Sequence, residues 1–485
     1  MNSDKTVFIP TSIPYVNGAP HLGHALEFVY ADVLSRWHRG HARNVWFSTG
    51  TDEHGQKVAR KAEERGMTPQ EHVDDMVVGF KNLLFALNIS HDDFIQTTEE
   101  RHESTAQLVW SAIQEKGDIY KDTYEGVYCV GCEAYKTEKE LNENGECPIH
   151  LTAPEKLTEE NYFFRLSAYS EQLAEWFDGV EGNVVPVHRK NEMREIITGG
   201  LEDVAISREK EKMSWGVAVP DDDTQVMYVW FEAVINYLST VGYPDGELLD
   251  TAWPVDTHII GKDINRFHSI MWPVMLLALG LELPRRIAVH GFISVDGHKM
   301  SKSLGNVIDP FDLIERYGGP DPVRYLLMRE VPYMGDGDLN MERLDALYGA
   351  HLANGVGNLL SRITNMCERY FDGAVAAIPH MEGYGDEQHA RYEQQVEGLE
   401  FHSALESVWS IVDDANEYIE QKKPWELAKE DMDELKVVLQ HLVFAMNWIG
   451  EHLQPFMPAT AEIILAAMNA ERIEKSLPLF PRLEV

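Results

Sequence analysis

The sequence predicts an α/β fold whose open sheet is split by an insertion and followed by an all-α region. Three observations carry this. Short β-rich runs alternate with helical periods near the N-terminus, and the same alternation returns after residue 226. Between them, residues 117–225 break the pattern with a cysteine cluster, many charges and short strands. From about Leu344 onward only long amphipathic helical patterns remain.

In order, Val7 to Ile9 is a β-rich run that meets the turn-rich segment Pro14-Tyr15-Val16-Asn17-Gly18-Ala19-Pro20. From His21 to His38, Leu22, Ala25, Leu26, Val29, Val33 and Leu34 follow a helical period. Strand, loop and helix N-terminus in that order suit an open nucleotide-binding α/β fold. Val45 to Ser48 is the next strand, ending at Thr49-Gly50-Thr51-Asp52. Thr257 to Gly261 and Arg286 to Ser294 restore the strand pattern around an intervening helix.

The chain has 485 residues, and at about 150 residues per domain this corresponds to two to four domains. With 44% apolar and 25% charged residues it is ordinary globular material. No basic-then-apolar leader is visible in Met1 to Pro10, and the apolar run Ile270 to Leu281 is too short to span a bilayer and contains Pro273. A soluble, cytoplasmic protein without a membrane partner is expected. The net charge is −38, the opposite sign to that usual in a nucleic-acid binder. A solubility surface and adaptation to a salt-rich cytoplasm both account for it.

Pro20-His21-Leu22-Gly23-His24 stands where a helix begins, and free N–H groups with the helix dipole favour anions there. His21 and His24 are three apart and share one face. Their imidazoles can bond phosphate oxygens as charge builds; a surface pair or metal ligands are the alternatives. Gly23 leaves space for a flat base. Far downstream, Lys299-Met300-Ser301-Lys302-Ser303 lies between Gly297 and Gly305. Its two lysines can reach a leaving pyrophosphate, or simply form a solvated basic loop.

Cys129-x2-Cys132, fourteen further residues, then Cys147-x2-His150 supplies four ligands in two paired turns. The spacing suits one structural tetrahedral Zn²⁺ without an open catalytic position. The fourth cysteine, Cys367, is expected to pack in a helix as a small hydrophobe. Ile264, Phe267, His268 and Trp272 fall on one helical face, as plain core packing also would. Asn358 and Arg362 lie four apart on a predicted helix, and Trp425 follows Lys423-Pro424. An exposed indole can stack on an unpaired base, and Arg and Asn can read base edges.

The histidine and lysine motifs, in this order, resemble the two signatures of class I aminoacyl-tRNA synthetases. Ile13-Pro14-Tyr15-Val16-Asn17-Gly18, Gly50-Thr51-Asp52-Glu53-His54-Gly55, Tyr228-Val229-Trp230-Phe231, Gly261-Lys262-Asp263 and Lys423-Pro424-Trp425 narrow the resemblance to the methionyl-tRNA synthetases. It implies a split Rossmann-like nucleotide-binding domain in halves 1–116 and 226–320. It also implies a zinc-bearing connective insertion over 117–225, a linking segment over 321–345 and an α-helical anticodon-binding domain over 346–485. The implied partners are L-methionine, ATP with Mg²⁺, and tRNA(Met) with a CAU anticodon.

By the same resemblance, His21 and His24 steady the α-phosphate, and Lys299 and Lys302 the β,γ end. Gly23, Gly261, Asp263, Met300 and Ser301 join them around ATP, Asp263 touching ribose or the amino-acid ammonium. Asp52, at a strand end, suits that ammonium. Ile13, Tyr15, Trp230, Ala233, Tyr237, Ile264, His268 and Trp272 are assigned to the methionine pocket, Val234 standing where relatives often have proline. Because a missing methylene costs only roughly 1–3 kcal/mol, fit alone excludes homocysteine poorly. Asn358, Arg362 and Trp425 match anticodon-reading positions.

Two other readings share parts of this pattern. A small-molecule nucleotidylyltransferase carries the histidine motif but has no need of the helical region, and a non-catalytic paralogue predicts damaged motifs, whereas both are whole here. No oligonucleotide-binding module follows the helical region before Val485, and a monomer is expected.

Overall fold

The computed structural model describes residues 5–131, 134–136, 141–148, 151–295, 297–299, 307–378 and 386–483, with backbone alone at 124, 125, 134, 135, 157 and 299. They form two units. The first comprises Met1–Pro20, Arg43–Asn82 and His91–Val289; the second comprises His21–Ala42, Leu83–Ser90 and His290–Val485.

In the first unit, strand Val7–Pro10 pairs in parallel with Val45–Thr51, which pairs in parallel with Asp93–Gln96. A bridge between Thr11 and Ile259 carries the sheet on to His258–Gly261, then Ile287–His290 and Val184–Val185. Val7–Pro10, His258–Gly261 and Ile287–His290 are buried at every residue. Parallel strands covered on both faces read as such continuous runs. At Gly50 a Cβ would sit 2.0 Å from the Ile95 carbonyl oxygen, so only glycine lets these neighbouring strands approach. The expected strand over Arg286 to Ser294 is two strands, Ile287–His290 and Ile293–Val295, separated at Gly291.

The stretch 117–225 changes to antiparallel pairing. Ile119–Cys129 and Glu155–Phe164 pair over ten residue couples, flanked by Ala134–Lys136 and Val204–Ala205. A second sheet joins Ser207–Glu209, Asp222–Met227 and Ala218–Val219. Val184–Val185 instead runs parallel beside Ile287 and Ala288.

The second unit begins with helix Leu22–Gly40. Its Asp32 is fully buried and meets Arg324 at 2.7 Å, Arg36 at 2.7 Å and the Ser90 hydroxyl at 2.6 Å. Arg324 also donates to the carbonyls of Phe456, Pro455 and Leu87. With every strong donor paired, a buried ion pair is tolerated rather than ruinous. Burial pushes the Asp32 carboxyl up, but the Arg324 and Arg36 charges, with the hydrogen bonds from Ser90, hold it below its usual range. After strand Gly337–Leu339 the described residues contain only helices and their connections. Met432–Leu453 buries Leu435, Val438, Leu439, Leu442, Met446, Ile449 and Leu453, the expected helical period. Cys367 is fully buried in helix Gly357–Phe371, where burial pushes its thiol up to about 12. No helix among the described residues is long and apolar enough to cross a membrane.

Candidate functional site

An aromatic group lies beside the sheet in the first unit. Tyr237, His268 and Trp272 are buried, and Tyr237 lies 5.8 Å from the His268 ring and 5.6 Å from the Trp272 ring. The residues 262–279 are not one regular helix: a 3-10 turn, Lys262–Ile264, leads into a π-turn, Phe267–Met271, and then helix Trp272–Leu279. The single α-helical face expected for Ile264, Phe267, His268 and Trp272 is therefore re-aimed. The wider π-turn lets His268 Nδ1–H donate to the Ile264 carbonyl at 3.1 Å, so Nε2 accepts from the Tyr237 hydroxyl at 2.7 Å. Phe267 departs with it and stacks on Trp230, centroids 4.2 Å apart and planes within 5°.

Sequence reasoning missed His258. It is fully buried at the start of its strand, 4.4 Å from the Tyr237 ring, and its Nε2 accepts from Trp272 Nε1–H at 3.2 Å. Burial first, and the His268 charge second, hold its pKa well below the ordinary value. Its only forewarning was a histidine in an otherwise apolar strand run.

Tyr15, Trp230 and Ile264 are half-buried against the core that contains Tyr237 and Trp272. Ala233 is buried and Ile13 half-buried. Tyr15 bridges to Asp52: Asp52 N–H donates to the Pro14 carbonyl at 2.8 Å, and Val16 N–H donates to the Asp52 carbonyl at 3.1 Å. The Asp52 side chain is almost fully buried. Gly261 ends its strand in full burial, and Asp263 is exposed in the turn that follows.

The second unit holds the histidine motif. His21 is the N-cap of helix Leu22–Gly40; its Nδ1 accepts from Gly23 N–H at 3.1 Å, while His24 Nδ1 accepts from His21 N–H at 3.2 Å. The pair makes a reciprocal capping box. The rings stack at 3.8 Å, 14° apart. Loss of solvent lowers the His21 pKa; the same cause, then the His21 charge, puts His24 well below its ordinary value. Both shifts favour the neutral imidazole. A Cβ on Gly23 would lie 3.0 Å from His21 Cε1, so this glycine also makes room for the cap itself. Lys299 ends strand His298–Lys299, its side chain outside the described residues, as are Met300, Ser301 and Lys302.

Asn358 and Arg362 stand on helix Gly357–Phe371 as expected. Asn358 is exposed, and Arg362 pairs with Glu420 at 2.6 Å. Trp425, in helix Pro424–Glu430, is 41% exposed.

Cys129 and Cys147 are buried. Cys147 N–H donates to the Thr152 carbonyl and Leu151 N–H to the Cys147 carbonyl, at 2.9 and 2.8 Å. Cys132 and His150 lie outside the described residues; within those residues no three His, Cys, Asp or Glu side chains form a metal-sized group.

Comparisons with known proteins agree along the chain. Residues 7–156 and 139–364 match the family of tRNA synthetases class I (M), and residues 383–478 match the anticodon binding domain of methionyl tRNA ligase. A methionine–tRNA ligase of Caldanaerobacter subterraneus is 40% identical over 99% of this chain and 79% of its own length. One of Thermotoga maritima is 42% identical over 96% of this chain and 75% of its own. The crystal structure of Mycobacterium tuberculosis methionyl-tRNA synthetase bound by methionyl-adenylate superposes with a TM-score of 0.92 at 36% identity, covering 98% of this chain and 100% of that one. With motifs, fold and relatives in agreement, the chain belongs to the class I methionyl-tRNA synthetases, the enzymes that activate methionine and charge it onto tRNA.

Proposed function

We propose that Asp52 holds the methionine ammonium, while Ile13, Tyr15, Trp230, Ala233, Tyr237, Ile264, His268 and Trp272 enclose the thioether. The supporting observation is the aromatic group around Tyr237, on the same core as Tyr15, whose backbone pairs with Asp52. A soft, polarisable sulfur suits such rings. The methionine carboxylate attacks the α-phosphorus of ATP and pyrophosphate leaves. A ribose hydroxyl of the terminal tRNA adenosine then takes the methionyl group and AMP leaves. No covalent enzyme intermediate is needed, so positioning and electrostatics carry catalysis.

His21 and His24 steady the α-phosphate. Lys299 and Lys302 draw off the β,γ end, and Mg²⁺ accompanies ATP. Gly23 and Gly261 let the nucleotide approach the backbone. Met300, Ser301 and Asp263 line the same nucleotide, Asp263 at its ribose or at the methionine ammonium. Asn358, Arg362 and Trp425 read a CAU anticodon, with Glu420 orienting the Arg362 guanidinium. Cys129, Cys132, Cys147 and His150 hold a structural Zn²⁺. The enzyme works as a cytoplasmic monomer.

The test is Asp52→Asn. Losing a hydrogen bond to a charged group is worth roughly 1.5–3 kcal/mol, so the methionine KM should rise about tenfold or more with the ATP KM unchanged. An unchanged methionine KM would remove Asp52 from the site.

A further inference from the structure

Three ionisable side chains distant in sequence meet inside the first unit. The Glu232 carboxylate is fully buried and accepts from His54 Nδ1–H at 3.1 Å and from His102 Nε2–H at 2.7 Å. His102 is fully buried as well, and its Nδ1 lies 3.1 Å from the Ser239 hydroxyl. His54 also faces Glu103, 3.8 Å from its Nε2, and the charge of Glu53, which accepts from the Thr51 and Thr98 hydroxyls.

Burial alone would push the His54 pKa down; the Glu232 charge and hydrogen bond, with Glu103 and Glu53 behind them, hold it above its ordinary value. Burial would likewise raise Glu232, and the His54 charge with the two imidazole bonds brings it below the usual range. Such a cluster is a poor way to gain stability, since apolar side chains of equal volume serve as well. What it does provide is one fixed arrangement of the segments that carry it.

Those segments are the walls assigned to methionine. His54 follows Asp52 by two residues, and its own carbonyl accepts from the Tyr15 hydroxyl at 2.5 Å. The adjoining Glu53 carbonyl accepts from Trp215 Nε1–H at 2.6 Å, and Gly55 N–H donates to the Trp215 carbonyl at 3.0 Å, so this loop is clamped on its other side. Glu232 lies between Trp230 and Ala233 on the short helix Val229–Ala233. His102, from helix Glu100–Glu115, supplies a rigid third anchor. One carboxylate therefore joins the Asp52–Tyr15 edge to the Trp230–Ala233 wall.

We propose that Glu232, acting through His54 and His102, is a positioning residue for methionine that sets the spacing between the ammonium-binding edge and the aromatic wall. The proposal rests on the methionine-pocket reading given above. Glu232 touches neither ATP nor methionine in it, so its signature is a separation of KM from kcat together with a pH effect.

The experiment measures methionine-dependent ATP–pyrophosphate exchange on the full chain, for the parent, Glu232→Gln, His102→Gln and Trp230→Ala, across pH 5.5 to about 9, a window that brackets the ordinary histidine range. Glu232→Gln should raise the methionine KM about tenfold, equivalent to about 1.4 kcal/mol, and leave the ATP KM and kcat within about threefold. In the parent the methionine KM should climb as His54 loses its proton above its raised pKa. In Glu232→Gln that climb should move to lower pH, because the charge holding the imidazolium is gone. If Glu232→Gln does not fold, His102→Gln decides by the same criterion: a selective rise in methionine KM supports the proposal and none overturns it. Trp230→Ala separates the two readings. An unchanged methionine KM in Trp230→Ala overturns the pocket, and the positioning role with it. A raised KM there, beside an unchanged KM and pH profile in Glu232→Gln, overturns the positioning role alone. Equal losses for ATP and methionine in Glu232→Gln overturn it too, since they would report general structural damage.

Discussion

A histidine whose Nδ1 already accepts a backbone N–H has only its Nε2–H to offer a ligand. His21 and His24 are both in that condition, each capping the helix that they begin. Spacing alone showed that they share a face; it left open whether they form a surface pair or metal ligands. The capping bonds and depressed pKa values favour neutral side chains that begin the helix over a charged surface pair. Trp425 poses a similar choice between packing and recognition. A tryptophan after proline often packs inward at a helix start, but this one remains 41% exposed. Loss of one stacking platform is worth roughly 1–3 kcal/mol, so Trp425→Ala should lower tRNA charging about tenfold or more. Pyrophosphate exchange should be spared. A parallel fall in both rates would make the indole a structural residue instead.

At the scale of elements, what was legible depended on whether the signal was local. The strand–loop–helix start and the amphipathic C-terminal helices follow from periodicity and turn chemistry within short windows, and the structure has them. The segment from Ile264 to Trp272 has apolar residues at helical spacing, yet it folds as a 3-10 turn followed by a π-turn. The hydrogen bonds of His268 to the Ile264 carbonyl and to Tyr237 favour that wider turn, and Tyr237 is a tertiary partner no window contains. The Glu232–His54–His102 cluster was invisible for the same reason. Its members are far apart in sequence, although His54 lies inside a motif that resembles the family and Glu232 adjoins another. The spacing of the cysteine segment predicts a zinc knot; Cys129 and Cys147 are buried, and Cys132 and His150 lie outside the described residues. Freshly purified, active protein should carry about one Zn²⁺ per chain by elemental analysis, held tetrahedrally. Active protein without zinc would refute the knot.

At the scale of the whole molecule the net charge of −38 stands against a polyanionic tRNA. The Debye length is about 30 Å at 0.01 M salt and about 3 Å at 1 M. At low salt the two fields repel; at high salt only local contacts act, and lysine–phosphate contacts weaken through lost counterion release. Stacking and base-edge contacts of the kind proposed for Trp425, Asn358 and Arg362 survive that change. Self-repulsion among carboxylates also destabilises a fold when salt is withdrawn. We therefore expect melting temperature and charging rate to rise together from about 0.1 M toward about 1 M KCl. Full activity at low salt, with inhibition as salt rises, would assign the acidity to solubility alone. The central claim, that this chain activates methionine through an adenylate, is tested most directly by exchange of labelled pyrophosphate into ATP. The account predicts exchange that requires methionine, proceeds without tRNA and is lost when His21 and His24 are both replaced by Ala. Exchange independent of methionine, or undiminished in the double variant, would contradict it.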